Sequence, residues 1–414
     1  MLKSKITILV LLFSCLTIQA QETNKTFEIR FHGFVRADAA IDSRVNTESR
    51  EGFFIFYPAP KLIDKNGRDL NARANFNQYA MISRLKGELN GPELLKAKTY
   101  ALIEGDFTGP SNMENNAFRL RHAYIRFDWT KSRLFTGQYW TPMDAPEALP
   151  RMLALNTGAP FHSFARSPQI RFEQYAGNFS FIGVAYSQRD YPSPGPDPTL
   201  KTPAIVSPDF VRYAIIPNLH VQIQYKWNNN LLIAGANYKK LAPRLKTDSL
   251  LFTNETIQSA AVMVLAKIET KIVSIRTQAV YGQNLSDHLL LGGYAVESED
   301  TLTNIRKYIN LNTLALWTDI MTNTKTWQAG LFAGYTQNLG TNRVASNRFY
   351  GRGDAIDYVY RLSPRLQYNA MPLQFLAEIE YTTVAYGQHD QNYKTITSEP
   401  VSNFRFQLAA VYNF

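Results

Sequence analysis

Cysteine is almost absent from this chain of 414 residues, and the one it has, Cys15, stands close to the N-terminus. A disulfide framework and thiol chemistry are therefore not expected in the rest of the chain. Long apolar runs are missing too, since no segment after residue 20 approaches the roughly 18 apolar residues of a transmembrane helix. Glycine-rich linkers and low-complexity tracts are also lacking, which predicts one undivided domain over residues 21–414.

Sequence motifs for catalysis are missing as well. The chain has six histidines, and none lies in a zinc-protease motif, a nucleophile elbow or a phosphate loop. The neighbouring pairs Asp287–His288 and His389–Asp390 lie in expected loops and are interpreted as solvated pairs. No enzyme, cofactor or metal site is therefore predicted. The net charge of +10 comes from dispersed basic residues, so nucleic acid is not an expected partner.

The N-terminus has the pattern of an export signal. Two lysines precede an apolar run over residues 6–13, and a small residue, Ala20, follows it. This predicts a secretory signal peptide over residues 1–20. The alternative of a lipoprotein acylated at Cys15 would require a small residue where Phe13 stands. Export leaves two classes open, a large periplasmic β protein and a transmembrane β-barrel.

Alternation of apolar and polar residues distinguishes these two classes. It is clear in "FEIRFHGFVRADAAID" (27–42) and returns in "LHVQIQYKW" (219–227) and "LQFLAEIEYT" (373–382). Period two indicates strands, and the first segment is longer than the usual soluble strand of about five or six residues. One apolar and one polar face on long strands is typical of a barrel with lipid outside and a wet lumen.

The connections between the expected strands alternate between long and short. The long ones are 43–73, 108–116, 141–167, 190–217, 241–255, 283–305, 339–355 and 388–401, and the short ones are 89–95, 130–132, 176–178, 228–230, 269–271, 319–325 and 369–372. Outer-membrane barrels alternate in this way between external loops and periplasmic turns. The sequence therefore predicts an all-β fold, a transmembrane antiparallel β-barrel of about sixteen strands.

The chain ends on "FRFQLAAVYNF", which alternates up to Phe414. This tail resembles the C-terminal recognition signal of bacterial outer-membrane barrels. The resemblance implies that Tyr412 and Phe414 form an assembly signal and that the barrel-assembly machinery is a partner.

Four segments in the first half carry a more specific resemblance. "YALIEGDFTG" (100–109), "FRLRHAYIRF" (118–127), "FTGQYWTPMD" (135–144) and "SPQIRFEQ" (167–174) occur in this order. They resemble the consecutive strands and inward loop of DcaP-type porins, relatives of the general trimeric porins. The similarity covers mainly residues 76–175. It implies a Gram-negative outer-membrane location, a homotrimer and passage of small anionic solutes such as dicarboxylates.

Strand parity supplies candidates for the pore lining. The basic ones are Arg30, Arg36, Arg84, Lys86, Arg171, Lys226, Arg276, Arg361, Arg365 and Arg405, and the acidic ones are Glu104, Asp106, Glu378 and Glu380. Arg119 and Arg121 share a face with apolar Ala123 and Ile125, which either a β-bulge or a trimer-facing strand would reconcile. The resemblance favours an inward orientation for both. The alternative for any one arginine is a rim position that binds lipopolysaccharide or loop carboxylates.

The third long loop, residues 141–167, is predicted to fold into the barrel because it is the least polar of the long loops. A short helix is expected within it, beginning near Pro146. The candidate constriction residues of this loop are Asp144, Glu147, Arg151, His162 and Arg166. Its acidic residues would face wall arginines, and the excess of basic groups would favour small anions. The alternative is that these charges pair and only brace the loop.

The expected function is therefore a diffusion channel for small, preferentially anionic solutes. Outer-membrane lipid and lipopolysaccharide are expected around it. A non-transport barrel, either an adhesin or a structural protein, remains the main alternative, and a barrel enzyme is a more distant one. The tripeptide Arg352–Gly353–Asp354 has the form of an adhesion motif.

Overall fold

One closed antiparallel sheet forms the body of the protein. The structure is a computed structural model that describes residues 27–199, 202–346 and 348–414, and the predicted signal peptide lies outside these residues. The sheet contains seventeen hydrogen-bonded segments. Two of them, Asn75–Tyr79 and Arg84–Leu94, pair in succession with the first strand and so form one interrupted wall strand. The wall therefore has sixteen strands, as predicted.

The wall strands follow one another in chain order, each paired with its neighbours. They are β1 (Glu28–Asp42), β2 (Asn75–Tyr79 continued by Arg84–Leu94), β3 (Ala97–Asp106), β4 (Arg119–Asp128), β5 (Ser132–Trp140), β6 (Arg166–Ala176), β7 (Phe179–Tyr186), β8 (Asn218–Trp227), β9 (Asn230–Leu241), β10 (Ile257–Glu269), β11 (Val273–Gln283), β12 (Asn312–Thr322), β13 (Trp327–Gly340), β14 (Ile356–Ala370), β15 (Leu373–His389) and β16 (Thr395–Asn413).

The two faces of each strand differ as the alternation predicts. On β8, Val221 is 63 % exposed on the outer face, whereas Gln222 is 3 % exposed on the inner face. Outward apolar side chains recur on the other strands, for example Ile170 on β6 and Phe404 on β16. This is the arrangement that hydrocarbon outside and polar groups inside require. In the wall that the structure describes, closure leaves no strand edge unpaired, and lipid would not tolerate such an edge.

The connections are long at one end of the barrel, the loop end, and short at the other, the turn end. The loops are L1 (43–74), L2 (107–118), L3 (141–165), L4 (187–217), L5 (242–256), L6 (284–311), L7 (341–355) and L8 (390–394). The predicted alternation is confirmed except at L8, which is shorter than the expected 388–401. The reason is that β15 and β16 continue as a hairpin to His389 and from Thr395.

Helix is scarce in the described residues. One helical turn, α1 (Asp209–Arg212), lies in L4, and 3₁₀ turns occupy Asn112–Glu114, Pro142–Asp144, Pro146–Ala148 and Ser286–His288. None of the helical segments that the structure describes is both long and apolar enough to cross a membrane.

Four of the loops contain short strands of their own in the described residues. L1 forms a hairpin of Asn46–Ser49 with Phe54–Pro58. Within L6, Gly292–Glu299 pairs with Arg306–Asn310, and it also pairs with Phe349–Arg352 of L7. In L4, Pro194–Gly195 pairs with Ile205–Val206.

The last residue of the chain closes the barrel. The amide of Phe414 donates to the Gly33 carbonyl at 3.1 Å, and the Gly33 amide donates back to the Phe414 carbonyl at 3.0 Å. The Phe414 ring lies so close over Gly33 that a Cβ at this glycine would be 2.7 Å from it. Phe414 therefore joins β16 to β1 at the turn end.

Deleting Phe414 is expected to lower the fraction of assembled barrel severalfold, because both hydrogen bonds and the ring contact at the seam are lost. Heat-modifiable migration of membrane extracts on gels measures this fraction. Phe375→Ala is the matched control, since it removes a similarly exposed aromatic ring from the wall and leaves the seam intact. Equal loss in both variants would contradict a special role for the terminal residue.

Candidate pore and its inward-folded loops

L3 folds into the barrel, as the sequence predicts. Phe161 and His162 at its centre are fully buried. The ring of Phe161 lies 6.1 Å from that of Phe332 on β13, and His162 packs edge-on against Trp317 of β12 at 5.4 Å. Side chains of the wall bind the loop backbone, since Gln278 of β11 donates to the Met143 carbonyl at 2.9 Å. L3 is thus packed against the wall at β11 to β13.

The inner wall on that side carries many of the apolar inward side chains, beside polar ones such as Gln278 and Asp319. The buried apolar ones are Leu231, Ile233, Met263, Leu265, Val280, Ala315, Trp317 and Phe332, on strands β9 to β13. They belong to the same apolar cluster as Met143 and Phe164 of L3. The loop therefore covers this part of the wall, and the charged part from β2 to β8 faces what remains of the lumen.

Two further loops, which the sequence patterns did not predict to do so, also fold inward. In L1, Phe53, Phe54 and Phe56 are buried in the same cluster as L3, and L6 adds the consecutive leucines 289–291. L1 also binds L3 directly, because Asn156 donates to the Ile55 carbonyl at 3.0 Å. The apolar runs "FFIFY" and "LLLGG" inside long loops are the signal that could have identified both.

The expected helix in L3 is only a 3₁₀ turn, Pro146–Ala148. Leu149 precedes a second proline, Pro150, and residues before proline avoid helical backbone angles. The chain then runs across the lumen, and Arg151 reaches Asp319 of β12 at 3.4 Å. L3 therefore crosses the barrel mostly without helical structure.

Asp144 does not face the wall arginines, contrary to expectation. It is fully buried within L3 and accepts hydrogen bonds from the hydroxyls of Thr141 and Ser163 and from the Ala165 amide. Burial raises the pKa of this carboxyl to about 7 in spite of those donors. Asp144 thus ties the two ends of L3 together.

His162 is likewise enclosed in the loop and not exposed to the lumen. One of its ring nitrogens lies 3.0 Å from the Asp144 carbonyl. Burial lowers the pKa of His162 to about 4, so the ring is neutral at physiological pH. It contributes packing and a hydrogen bond, and no charge, to the constriction loop.

Glu147 does face basic groups of the wall. Its carboxylate lies 3.3 Å from the Arg171 guanidinium of β6 and accepts a hydrogen bond from Gln224 of β8 at 3.0 Å. Arg166 is buried, with its guanidinium bonded to Asp190 at 2.7 Å and stacked over Trp140. Of the acidic residues predicted in L3, only Glu147 is therefore placed opposite a basic wall.

A β-bulge, one of the two alternatives that the sequence left open, places Arg119 and Arg121 on the inner face of β4. The register of β3 with β4 shifts between Glu104 and Gly105. Arg121 then reaches Glu104 at 2.7 Å and Asp106 at 2.9 Å, and Arg119 reaches Asp106 at 3.1 Å. After the bulge, the even-numbered residues of β4 are the ones whose side chains point inward. Arg126, the next arginine of this strand, therefore also points inward.

Several predicted pore-lining charges are instead covered by the inward loops. Arg361 and Arg405 are fully buried and pair with Glu380 at 3.3 Å and Asp42 at 2.8 Å. Glu378 accepts hydrogen bonds from two L3 backbone amides, at 3.1 and 3.2 Å. These groups hold L1 and L3, so here the charges pair and brace the loops.

The remaining basic candidates are loop anchors, partners in buried or half-buried ion pairs of the wall, or exposed. Arg36 bonds to the Leu153 carbonyl of L3 at 2.7 Å, and Arg276 bonds to the Leu149 carbonyl at 2.6 Å. Arg365 pairs with Asp319, Arg84 approaches Glu104 at 3.6 Å, and Lys86 pairs with Glu88. Arg30 lies at the exposed turn end, paired with its neighbour Glu28.

An open space remains between L3 and the charged half of the wall. This cavity measures about 600 Å³ and lies at the level of β4 to β8. Its charged lining consists of Arg126, Arg133, Arg171, Lys226, Glu147 and Glu173, with Tyr124, Tyr139 and Tyr175 beside them. A second space of about 500 Å³ shares Glu147 and Lys226 and extends to the turn formed by residues 228–230. Arg126 and Arg133 were not among the predicted site residues.

A serine, a histidine and an aspartate meet inside the barrel, but they are enclosed. His288 Nδ1 lies 3.4 Å from the Ser163 hydroxyl, and Nε2 lies 3.8 Å from Asp287. The Ser163 hydroxyl donates to Asp144 instead of to the histidine. All three residues are buried, so the arrangement joins L3 to L6 and presents no nucleophile to solvent.

The adhesion-like tripeptide is also partly enclosed. The Arg352 guanidinium lies 4.2 Å from the Phe56 ring centre, stacked on the inward-folded hairpin of L1. An adhesion motif must offer its arginine to a partner, and here that side chain packs inside the loops.

Taken together, a closed barrel of sixteen strands with an inward third loop has the architecture of a porin-type outer-membrane channel. Similar folds are found among solved structures. The outer membrane channel DcaP of Acinetobacter baumannii superposes with a TM-score of 0.67 at 16% sequence identity, over 94% of this chain and 97% of that one. The DcaP-type fold suggested by residues 76–175 is thus confirmed.

Two other solved structures share the fold at lower similarity. An anion-selective porin from Comamonas acidovorans has a TM-score of 0.54 at 9% identity, over 94% of this chain and 100% of that one. OmpT of Vibrio cholerae in its trimer form has a TM-score of 0.55 at 10% identity, with the same coverage. No family model and no curated protein matches the sequence.

Proposed function

We propose that this protein is an outer-membrane channel that admits small anions along the β4–β8 side of its lumen. The observation that carries the proposal is the charge of the open cavity beneath L3. Four basic side chains and two carboxylates line it. The excess of basic groups attracts anions, and the low-dielectric wall around them concentrates the field.

The chemistry of the lining favours solutes that carry carboxylates. Arginine presents a planar fork that matches a carboxylate with two hydrogen bonds. Arg126 and Arg133 line the cavity and share one carboxylate, Asp128, at 2.7 and 2.5 Å, so the two guanidinium groups have, among the described residues, a single hydrogen-bonded carboxylate partner between them. Small dicarboxylates are therefore the proposed preferred solutes, in keeping with the resemblance to DcaP-type porins.

The assembly and location follow from the same proposal. A signal peptide over residues 1–20 would export the chain, and the barrel-assembly machinery would insert it using the tail that ends at Tyr412 and Phe414. Lipid and lipopolysaccharide would then surround the outer face. A homotrimer is proposed from the trimer form of the similar OmpT structure. The proposal includes no catalysis, no cofactor and no nucleic-acid partner.

The test is the reversal potential of the purified protein in a planar bilayer under a salt gradient. We expect discrete channels whose reversal potential has the sign of anion preference. A cation-selective channel would contradict the selectivity, and folded protein without conductance would favour the structural or adhesive alternative. Addition of succinate to one side should reduce the chloride current, because both anions would compete for the same basic lining.

A further inference from the structure

L6 enters the barrel at two neighbouring residues, Asp287 and His288, whose charges the channel does not use. Asp287 lies 2.7 Å from the Lys239 ammonium on the inner face of β9. The side chains of Lys239 and Asp287 are 3 % and 2 % exposed, respectively. Lys239 also donates to the Asn284 carbonyl at the start of L6. One ion pair therefore joins the base of L6 to the wall.

Other inward elements meet L6 at the same point. Gln188 of L4 donates to the second oxygen of Asp287 at 2.7 Å. The Phe164 amide of L3 donates to the His288 carbonyl at 3.1 Å. The Tyr186 hydroxyl on β7 lies 3.4 Å from the His288 ring. The position of L6 is thus coupled to L3, L4 and two wall strands through this dipeptide.

The residues that follow occupy the lumen at the loop end. Leu289, Leu290 and Leu291 are fully buried and belong to the apolar cluster that also includes Ile356 and Val359 of β14. The Thr313 hydroxyl on β12 donates to the Leu291 carbonyl at 3.1 Å. L6 therefore takes up space through which a solute entering from the loop end would pass.

We propose that the Lys239–Asp287 ion pair fastens L6 inside the barrel and thereby sets the largest solute that the channel admits. This inference rests on the proposed channel function, and it concerns solute size, whereas the charge preference belongs to the cavity beneath L3. Lys239 and Asp287 are positioning residues, because they act through the leucines of L6 and do not touch the solute.

The physical reason is the cost of an unpaired buried charge. Removing one partner of a buried pair strands the other in a medium of low dielectric, where it is strongly destabilising. The stranded group regains water if L6 leaves the lumen. Removing both charges strands neither, so the leucines alone can keep L6 in place. Each single variant should therefore release L6 from the lumen at the loop end, and the double variant should keep L6 in its native position.

Cysteine labelling tests this without relying on conduction. Leu290→Cys is made in a chain whose other cysteine, Cys15, is replaced by serine, and the folded protein is treated with a polar maleimide. We expect protection with the native pair, labelling at least tenfold faster in Lys239→Met and Asp287→Asn, and protection again in the double variant. Leu302→Cys is the control, because Leu302 in L6 is 87 % exposed and a cysteine there should be labelled in the native protein and in every variant.

Conductance supplies the second readout. Each single variant should exceed the native conductance and admit larger polyethylene glycols, while its reversal potential stays unchanged. Should Lys239→Met fail to assemble, Asp287→Asn carries the same test, because the amide oxygen introduced there still accepts from Gln188. Full protection of the thiol introduced by Leu290→Cys, together with native conductance, in a folded single variant would overturn the proposal. Absence of current in the unmutated protein would contradict the proposed channel function. The labelling experiment would still test whether the Lys239–Asp287 pair holds L6 inside the barrel.

Discussion

Replacing Arg361 by methionine is expected to lower the free energy of unfolding by about 3–5 kcal/mol, the usual cost of breaking one side of a buried ion pair. Arg361 is fully buried and pairs with Glu380 at 3.3 Å. It also donates to the Ala159 carbonyl of L3 at 3.1 Å and to the Phe56 carbonyl of L1 at 3.0 Å. One substitution would therefore strand a carboxylate and release two inward loops.

Urea titration of the protein folded in lipid vesicles, followed by tryptophan fluorescence, measures this change. Arg30→Met is the matched control, since it removes an arginine that is exposed at the turn end and, among the described residues, pairs only with Glu28. Exposed ion pairs contribute little to stability, so the control should unfold like the native protein. Unfolding of Arg361→Met at the native urea concentration would contradict the role of Arg361 as a loop anchor.

Reversing the charge of Lys226 is expected to lower the anion-to-cation permeability ratio about fivefold to tenfold. Lys226 is exposed and lines both open spaces below L3. Lys226→Glu changes the local charge by two units, and an interaction of about 1–1.4 kcal/mol with a partly hydrated ion corresponds to that factor. Because Lys226 is not one of the residues that anchor the inward loops, the barrel should assemble normally.

Bi-ionic reversal potentials measure the ratio, and Lys65→Glu is the control. Lys65 lies exposed in L1, so this variant has the same net charge change away from the cavity. The effect of Lys226→Glu should shrink in 1 M salt, where the screening length falls to about 3 Å. An equal shift in both variants would mean that net charge, and not the cavity lining, sets the preference.

Much of the pore lining could not be located from strand parity. Parity predicts whether a side chain points inward or outward, but it does not predict which loop covers that side chain. Arg361, Arg405 and Glu378 do point inward, yet L1 and L3 cover them. On β4, in contrast, a bulge opposite Glu104 and Gly105 changes which side chains point inward. Arg119 and Arg121 break the alternation, and the resemblance to DcaP-type porins favoured an inward orientation for both; the bulge places them on the inner face.

Local sequence patterns were sufficient to predict the strands of the wall and the inward course of L3. Alternation over long segments specifies strands with two unlike faces, and the loop lengths specify how many times the chain crosses. The closed wall, its strand count and the inward course of L3 follow from short-range sequence because each depends on neighbouring residues.

Which loops share the lumen depends on contacts between residues far apart in the chain. L1, L3 and L6 meet in one apolar cluster, and Lys239 on β9 meets Asp287 at the base of L6. No pattern along the chain encodes such a pairing, because burial of one loop depends on the space that the others leave. The packing of L1, L3 and L6 on one another and on the wall therefore leaves open the cavity at β4 to β8, where the proposed anion path lies.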